Sequence, residues 1–131
     1  MESSDKLPFI ISLGSNLPSS EANANLDKAE IFLKNFFNDD IVFSSHYETP
    51  GVGSGKGKTY LNSVAKGYTN FDFSFIRSTL KDFEKSLGRS QETKSKGIVP
   101  IDLDLLTLGD DIFKERDLSQ DYVVRGLQEI K

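Results

Sequence analysis

Apolar and polar residues alternate along this chain with two different periods, and these periods predict strands and helices in a definite order. Residues 9–13 form a short apolar run rich in isoleucine, which favours a buried first strand. Residues 41–47 are rich in β-prone side chains and predict a second strand, and residues 60–68 predict a third. Apolar and acidic residues alternate at 101–105, which predicts a last strand with one buried and one polar face.

Two segments carry apolar residues at the spacing of an amphipathic helix. Ser19 or Ser20 could cap the first segment. Its predicted buried stripe consists of Ala22, Leu26, Ala29, Leu33 and Phe36. Asp72 or Ser74 could cap the second segment, and Gly88 would end it as a residue with positive φ. Its predicted buried stripe consists of Ile76, Leu80, Phe83 and Leu87.

The resulting order, β-α-β-β-α-β, predicts a ferredoxin-like α+β fold with an antiparallel sheet and both helices packed on one face. We expect residues 1–131 to form a single domain. A short C-terminal helix is predicted from Leu118, Tyr122 and Leu127. Asp117 or Ser119 could cap that helix. The glycine-rich residues 49–59 and the polar residues 89–99 are predicted to be loops, and long loops in compact domains are usually functional.

Composition removes several classes of function. The chain has 16 basic and 20 acidic residues, and a net charge of −4 does not favour non-specific binding of nucleic acid. It has no cysteine and one histidine, which excludes a disulfide framework, a thiolate zinc site and a histidine-rich metal site. The apolar run at residues 7–13 is too short to span a membrane. We therefore expect a cytoplasmic monomer with no membrane or nucleic-acid partner.

The acidic strand offers the first candidate chemistry. Asp102 and Asp104 would stand side by side on one face, on the order of 7 Å apart along the strand. Two carboxylates so placed repel each other unless a cation lies between them, and Mg²⁺ prefers oxygen ligands. A strand with one solvated face gives the same pattern without any ligand. The spacing alone leaves both interpretations open.

A glycine- and lysine-rich stretch at residues 53–59 looks at first like a phosphate-binding P-loop. A P-loop needs a further glycine upstream of its Gly-Lys pair, but the matching positions hold Pro50 and Val52. It also needs a helix to follow, because the helix N-terminus holds the phosphates, whereas the residues after Thr59 favour a strand. The stretch is better interpreted as a mobile flap.

Several short segments, each weak alone, occur in a characteristic order. They are Gly14-Ser15-Asn16-Leu17, Tyr47-Glu48-Thr49-Pro50-Gly51-Val52-Gly53, Tyr60-Leu61-Asn62, Glu84 with Leu87-Gly88-Arg89, and Asp102-Leu103-Asp104. In order and separation they resemble the 6-hydroxymethyl-7,8-dihydropterin pyrophosphokinase family over residues 9–109. The resemblance implies Mg²⁺-dependent transfer of the pyrophosphoryl group of ATP to the pterin hydroxymethyl group, in folate biosynthesis.

The resemblance also implies residue roles. Asp102 and Asp104 would be the ligands of two Mg²⁺ ions, and these ions would bridge the ATP phosphates. The pterin would be bound by Thr49, Pro50 and Val52 through their backbone, by Tyr60 through stacking, and by Asn62 through its amide. On the nucleotide side, the implied contacts are Glu84, Arg89, Lys94 and Lys96, with Arg89 also serving catalysis as the first basic residue of a lid. Purely structural roles remain open for Tyr60 and Asn62 as strand residues and for Glu84 as a solvated helix position.

The chain departs from the family pattern on the phosphate side. Further lid arginines are expected where this chain has Gln91 and Val99. Lys94 and Lys96 are near, but lysine offers a point charge rather than a bidentate fork. A second stacking aromatic is expected where Leu127 stands. Losing a phosphate-binding arginine removes several kcal/mol of transition-state stabilisation, so weakened activity is expected.

Three hypotheses follow from the sequence. The first is a Mg²⁺-dependent pyrophosphokinase that acts on ATP and the hydroxymethyl-dihydropterin. The second is a pterin- or nucleotide-binding module of the same fold that has lost turnover. The third is a ferredoxin-like interaction domain whose edge strand pairs with a partner protein. Release of AMP from ATP distinguishes the first from the second, and stabilisation by pterin, ATP or Mg²⁺ distinguishes both from the third.

Overall fold

The computed structural model describes residues 6–50 and 59–130. Its elements alternate much as the hydrophobic pattern predicts. The strands are β1 (Leu7–Ser15), β2 (Ile41–Phe43), β3 (Tyr47–Pro50), β4 (Thr59–Thr69), β5 (Asp102–Leu108) and β6 (Asp111–Ile112). The helices are α1 (Ser19–Phe36), α2 (Phe73–Ser86), α3 (Gln91–Ser95), α4 (Glu115–Leu118) and α5 (Asp121–Glu129). None of the helices in these ranges is long and apolar enough to cross a membrane.

All strand pairs are antiparallel, and the sheet order is β2-β4-β1-β5-β6 with β3 also paired to β4. The long strand β4 pairs along its length with β1, and along its other edge first with β3 and then with β2. Helices α1 and α2 pack on one face, against Phe9, Ile11 and Leu13 of β1 and Leu103 of β5. The predicted ferredoxin-like α+β fold is thus confirmed.

The opposite face of the sheet holds a smaller apolar cluster. Val64 of β4, Leu106 of β5 and Val123 of α5 form its buried centre. Val64 and Leu106 face away from their neighbours Ala65 and Leu105 in the main core, because side chains alternate between the two faces of a strand. A bulge in β5 interrupts its pairing with β1 between Ile10 and Ile11. Helix α5 covers only part of this face, and the uncovered part is where the candidate site lies.

The structure tests the predicted ends of α1 and α2. Asp72 caps α2 by accepting a hydrogen bond from the backbone N–H of Phe75, and Gly88 follows α2 with φ +99°, as predicted. The prediction that Ser19 or Ser20 caps α1 is wrong, because Pro18 holds the N-cap position and no side chain caps this helix. Proline fits there since its fixed φ suits the entry to a helix.

Three other boundaries differ from prediction. Residues 41–47 form two strands rather than one, because the Ser44 hydroxyl accepts a hydrogen bond from the N–H of Val64 and replaces a backbone partner. The predicted loop at 89–99 contains α3, which Ser90 caps with a hydrogen bond from the N–H of Thr93. The predicted loop at 49–59 overlaps β3 and β4 at its ends, and its central residues lie outside the described ranges.

The C-terminal region has two short helices where one was predicted. Gln120 holds the N-cap position of α5, so the prediction that Asp117 or Ser119 caps this helix is wrong. Asp117 lies inside α4, and Ser119 ends α4. Leu118, Tyr122 and Leu127 pack on the second cluster, as the apolar spacing predicts, and Ile130 joins them.

Candidate functional site

A cleft of about 390 Å³ opens on the sheet face opposite α1 and α2, beside the N-terminal end of α5. It is formed where β1, β3, β4 and β5 end near one another. The sequence-predicted residues that line it are Thr49, Pro50, Tyr60, Asn62, Asp102 and Asp104. These residues come from three separate strands, so the fold brings together side chains that are distant in sequence.

The register of β1 against β5 exposes both aspartates to this cleft. Asp104 lies opposite Ser12, and Asp102 lies opposite Gly14. Both β1 residues are small, so neither covers the carboxylate across from it. Ile101, Leu103 and Leu105 point to the other face and are buried in the main core, as the alternation predicted.

The two aspartates titrate as a pair. The guanidinium Nη1 of Arg89 lies 2.8 Å from Oδ1 of Asp102. Burial opposes ionisation of Asp102, but its hydrogen bonds from Arg89 and Asp104 outweigh this and hold its pKa below the ordinary value. For Asp104, burial, the charge of Asp102 and the hydrogen bond to Asp102 raise the pKa to about 7. Asp102 is therefore the carboxylate that ionises first, while Asp104 gains and loses its proton near neutral pH.

An ion-pair network centred on the buried Glu84 supports this pair from the α2 side. Glu84 is only 3% exposed, and its carboxylate accepts a 2.7 Å hydrogen bond from the N–H of Leu103 in β5. Lys81 lies 3.3 Å from Glu84 and 3.7 Å from Asp104, and Arg89 lies 3.3 Å from Glu84. The interpretation of Glu84 as a solvated helix position is therefore wrong.

Burial has different effects on the pKa values of Glu84 and Arg89. Burial raises the pKa of Glu84, although the hydrogen bond from Leu103 and the charge of Lys81 oppose this. Burial alone would lower the pKa of Arg89, but the hydrogen bond and charge of Asp102 raise it above its ordinary value. Arg89 is thus a fixed cation at the edge of the cleft.

The amide of Asn62 is oriented by its neighbours. Its Nδ2 donates a hydrogen bond to Oγ1 of Thr49 on the adjacent strand. A Cβ at Gly14 would lie 2.8 Å from Oδ1 of Asn62, so glycine leaves the space that this side chain occupies. Asn62 is buried, while Tyr60 is half-buried beside it. Burial raises the pKa of the Tyr60 phenol, and the charge of Asp102 adds to this effect.

Comparison with protein families shows which family the chain belongs to. The profile of the 7,8-dihydro-6-hydroxymethylpterin-pyrophosphokinase (HPPK) family matches residues 10–131. The chain belongs to the HPPK family. Membership implies pyrophosphate transfer in folate biosynthesis, with small molecules as substrates. A comparison with curated proteins finds no match for this chain.

The cleft of this HPPK chain also contains residues that sequence reasoning missed. Asp117, Gln120, Asp121 and Tyr122 line it from α4 and α5. Burial raises the pKa of Tyr122 to about 12, although its hydrogen bond with Ser12 opposes the rise. The apolar spacing predicts Tyr122 as a residue of the short C-terminal helix. Gln120 and Asp121 precede Tyr122 and Val123 and Val124 follow it, so the local sequence gives no signal that this tyrosine faces a cleft.

The remaining predicted site residues lie apart from the cleft lining. Lys96 pairs with Glu92 within the region of α3, 3.2 Å away. Within the described ranges, neither Lys94 nor Lys96 forms an ion pair with the two aspartates. Leu127 packs on the second apolar cluster, while Val52 lies outside the described residues.

Proposed function

We propose that this chain transfers the pyrophosphoryl group of ATP to 6-hydroxymethyl-7,8-dihydropterin with the assistance of Mg²⁺. The pterin hydroxyl oxygen would attack the β-phosphorus of ATP, forming the new O–P bond as the bond to the α–β bridging oxygen breaks. AMP leaves with that oxygen, and the hydroxyl proton is released. The observation that carries the proposal is the cleft, in which the residues implied for the pterin and for the metal line one wall.

The charge of the cleft supports a role for divalent cations. Asp102, Asp104, Asp117 and Asp121 all line it. A triphosphate could not approach four carboxylates without strong repulsion unless cations compensated both sets of charges. The side chains offer oxygen donors, which suit Mg²⁺, and the adjacent carboxylates of Asp102 and Asp104 favour a positive charge near them. When bound there, Mg²⁺ ions would neutralise the phosphates and polarise the β-phosphorus.

The chain's own residues would orient the two substrates. Asn62, held by Thr49, presents donor and acceptor atoms that suit the polar edge of a pterin. Tyr60 offers an aromatic face for the ring in the same cleft. Arg89 is positioned to exchange part of its interaction with Asp102 for a phosphate oxygen. Holding the pterin hydroxyl in line with the β-phosphorus would lower the entropic part of the reaction barrier.

AMP formation tests this function directly. The protein is incubated with ATP and Mg²⁺, with and without the hydroxymethyl-dihydropterin, and AMP is quantified by chromatography. We expect pterin-dependent AMP, and its loss by roughly a hundredfold or more in Asp104→Asn, since electrostatic groups at a transition state contribute on this order. Asp110→Asn is the matched control, because Asp110 is an exposed residue just beyond the same strand. Equal rates in both variants would exclude the metal role of Asp104.

A binding module without turnover is the second candidate. It is favoured by Gln91 and Val99, which stand where the family pattern has arginines. It is also favoured by Lys96, which pairs with Glu92 and not with the two aspartates. This candidate predicts that pterin raises the melting temperature while no AMP forms at any ATP or Mg²⁺ concentration. Introducing Gln91→Arg and Val99→Arg would then be expected to produce measurable AMP if the missing arginines are the cause.

A further inference from the structure

A second group of metal-ligating side chains lies outside the cleft, between α1 and the linker that joins β2 to β3. It consists of Asp27, Glu30 and His46, whose candidate ligand atoms all lie within 4.8 Å of one another. Asp27 and Glu30 are neighbours on one face of α1, since residues three apart on a helix are adjacent. His46 approaches them from the linker and is the single histidine of the chain.

The ring of His46 is oriented for coordination through Nε2. Its Nδ1 lies 2.8 Å from Oδ1 of Asn23. A flip of the Asn23 amide would break a hydrogen bond, because its Nδ2 donates to the carbonyl of Ser19 at 3.1 Å. With the amide in this orientation Nδ1 donates to Asn23, which leaves the lone pair of a neutral ring on Nε2. A hydrogen bond of this kind on the distal nitrogen is the usual support of a metal-bound histidine.

The partner of Nε2 is a carboxylate oxygen. Nε2 lies 2.8 Å from Oε2 of Glu30, so a lone pair of the neutral ring would face a carboxylate oxygen. Two acceptors at this distance need a cation between them, either a proton or a metal ion. The carboxylate of Asp27 lies close enough to serve as a third ligand.

We propose that Asp27, Glu30 and His46 bind a divalent transition-metal ion, with Zn²⁺ as the best match. One imidazole nitrogen with two carboxylates is a ligand set that zinc accepts, leaving room for water at the remaining position. The imidazole nitrogen disfavours Mg²⁺ and Ca²⁺, which prefer oxygen ligands. The site is thus chemically distinct from the all-oxygen aspartates of the cleft.

Such an ion would join the linker to α1 at a point that matters for the cleft wall. His46 immediately precedes Tyr47, the first residue of β3, and Thr49 and Pro50 of the same strand line the cleft. Binding would therefore hold the start of β3 against α1. The inference does not depend on the catalytic proposal, since binding and thermal stability measure it without any turnover.

The composition of the chain makes the test specific. With one histidine and no cysteine, any change in an imidazole resonance on adding zinc must come from His46. The full chain is titrated with Zn²⁺ in excess Mg²⁺, which occupies oxygen-only sites, and binding is followed by calorimetry and by ¹⁵N NMR of the imidazole. We expect one high-affinity Zn²⁺ per chain, a large shift of the Nε2 resonance and a raised melting temperature.

Variants separate this site from incidental zinc binding. His46→Gln retains a side chain that can hydrogen-bond to Asn23 or Glu30 but removes the imidazole, and it should abolish the high-affinity event. Asn23→Ala should weaken binding by roughly tenfold or more, as loss of an orienting partner does. Glu21→Gln is the matched control on α1 and should bind as the wild type does. Zinc binding unchanged in His46→Gln, or no Nε2 shift at millimolar Zn²⁺, would overturn the proposal and leave His46 and Glu30 as a simple ion pair.

Discussion

Asp104 is the residue whose protonation departs furthest from that of an exposed aspartate. Its pKa in the folded protein is about 7, because it is buried beside the charge of Asp102. An unfolded aspartate titrates near pH ~4, so between these values the folded protein binds more protons than the unfolded chain. Its contribution to stability is complete below the unfolded pKa and is lost as the pH rises through about 7.

We therefore predict that, without metal, the free energy of unfolding falls as the pH rises from about 4 to about 7, and that Asp104→Asn reduces this fall. The raised pKa of Glu84 acts in the same direction, whereas the lowered pKa of Asp102 acts only in more acidic solution. Lys81 and Lys114 face Asp104 and moderate the effect. Urea unfolding across this pH range measures it, and Mg²⁺ should stabilise the protein more at pH 8 than at pH 6. The same slope in Asp104→Asn would contradict the assignment.

Gly14 controls the position of Asn62, and its substitution offers a second residue-scale prediction. The added Cβ of Gly14→Ala would lie 2.8 Å from Oδ1 of Asn62, which is the end of a side chain and can move. We expect the fold to persist while KM for the pterin rises by roughly tenfold, the size of one lost hydrogen bond. In an Asn62→Ala background the same substitution should have little effect on KM. Additive effects in the double variant would show that Gly14 acts through another residue.

Sequence reasoning could find Asp102 and Asp104 because the period of a strand assigns them to one face without knowledge of the fold. It could not find Tyr122 as a cleft residue. The position of Tyr122 depends on how α5 docks on β4 and β5, which is a matter of tertiary packing rather than of local pattern. Leu127 stands where a second stacking aromatic is expected, but its side chain packs on the second apolar cluster.

At the scale of elements, Ser44 explains why the predicted second strand is split. Its N–H donates to the carbonyl of Val64 at 2.9 Å, and its hydroxyl accepts from the N–H of Val64 at 3.0 Å. A side chain thus replaces one backbone group of the ladder and turns the chain between β2 and β3. Propensity favours a continuous strand at residues 41–47, and only the pairing with β4 reveals the interruption.

Helix α5 connects the two sides of the cleft. Its first turn carries Tyr122 on the lining. Near its end, Glu129 accepts hydrogen bonds from the Ser45 N–H at 2.8 Å and from the Tyr47 hydroxyl at 2.8 Å, and the Arg125 guanidinium lies 4.3 Å from the Tyr47 ring centre. These contacts fix the start of β3 relative to α5. The geometry of the cleft therefore depends on how closely α5 lies on the sheet.

Gly126 sets that distance, so we predict that Gly126→Ala destabilises the protein. A Cβ at this position would overlap the Cγ1 atom of Val64 and crowd Ser44. Alanine normally favours a helix over glycine by ~1 kcal/mol, but overpacking costs about 1–3 kcal/mol and should dominate. Urea unfolding measures the loss. Adding Val64→Ala removes the clashing atom, so the double variant should be more stable than the sum of the single effects predicts. Strict additivity would mean that α5 accommodates the methyl group by shifting.

At the scale of the molecule, the main core lies on one face of the sheet and the candidate site lies on the other. The main core, with α1 and α2, lies on one face and contains most of the large buried side chains, including Leu33 and Leu103. The cleft and the smaller cluster lie on the other face. Because the side chains of a strand alternate between faces, a change on one face reaches the other only through the backbone.

This separation predicts opposite outcomes for Leu33→Ala and Asp104→Asn. Leu33 is fully buried in the main core, so its truncation should cost about 2–5 kcal/mol of unfolding free energy. The kcat/KM of the folded fraction should stay near the wild-type value, because the backbone of β1 and β5 is retained. Asp104→Asn should abolish transfer while destabilising the protein little at pH 8, where the wild-type carboxylates repel each other. Urea unfolding and AMP formation, measured on the same samples below the melting temperature of either variant, test both halves. A loss of kcat/KM in Leu33→Ala comparable to that in Asp104→Asn would mean that core packing on the α1 face sets the geometry of the cleft.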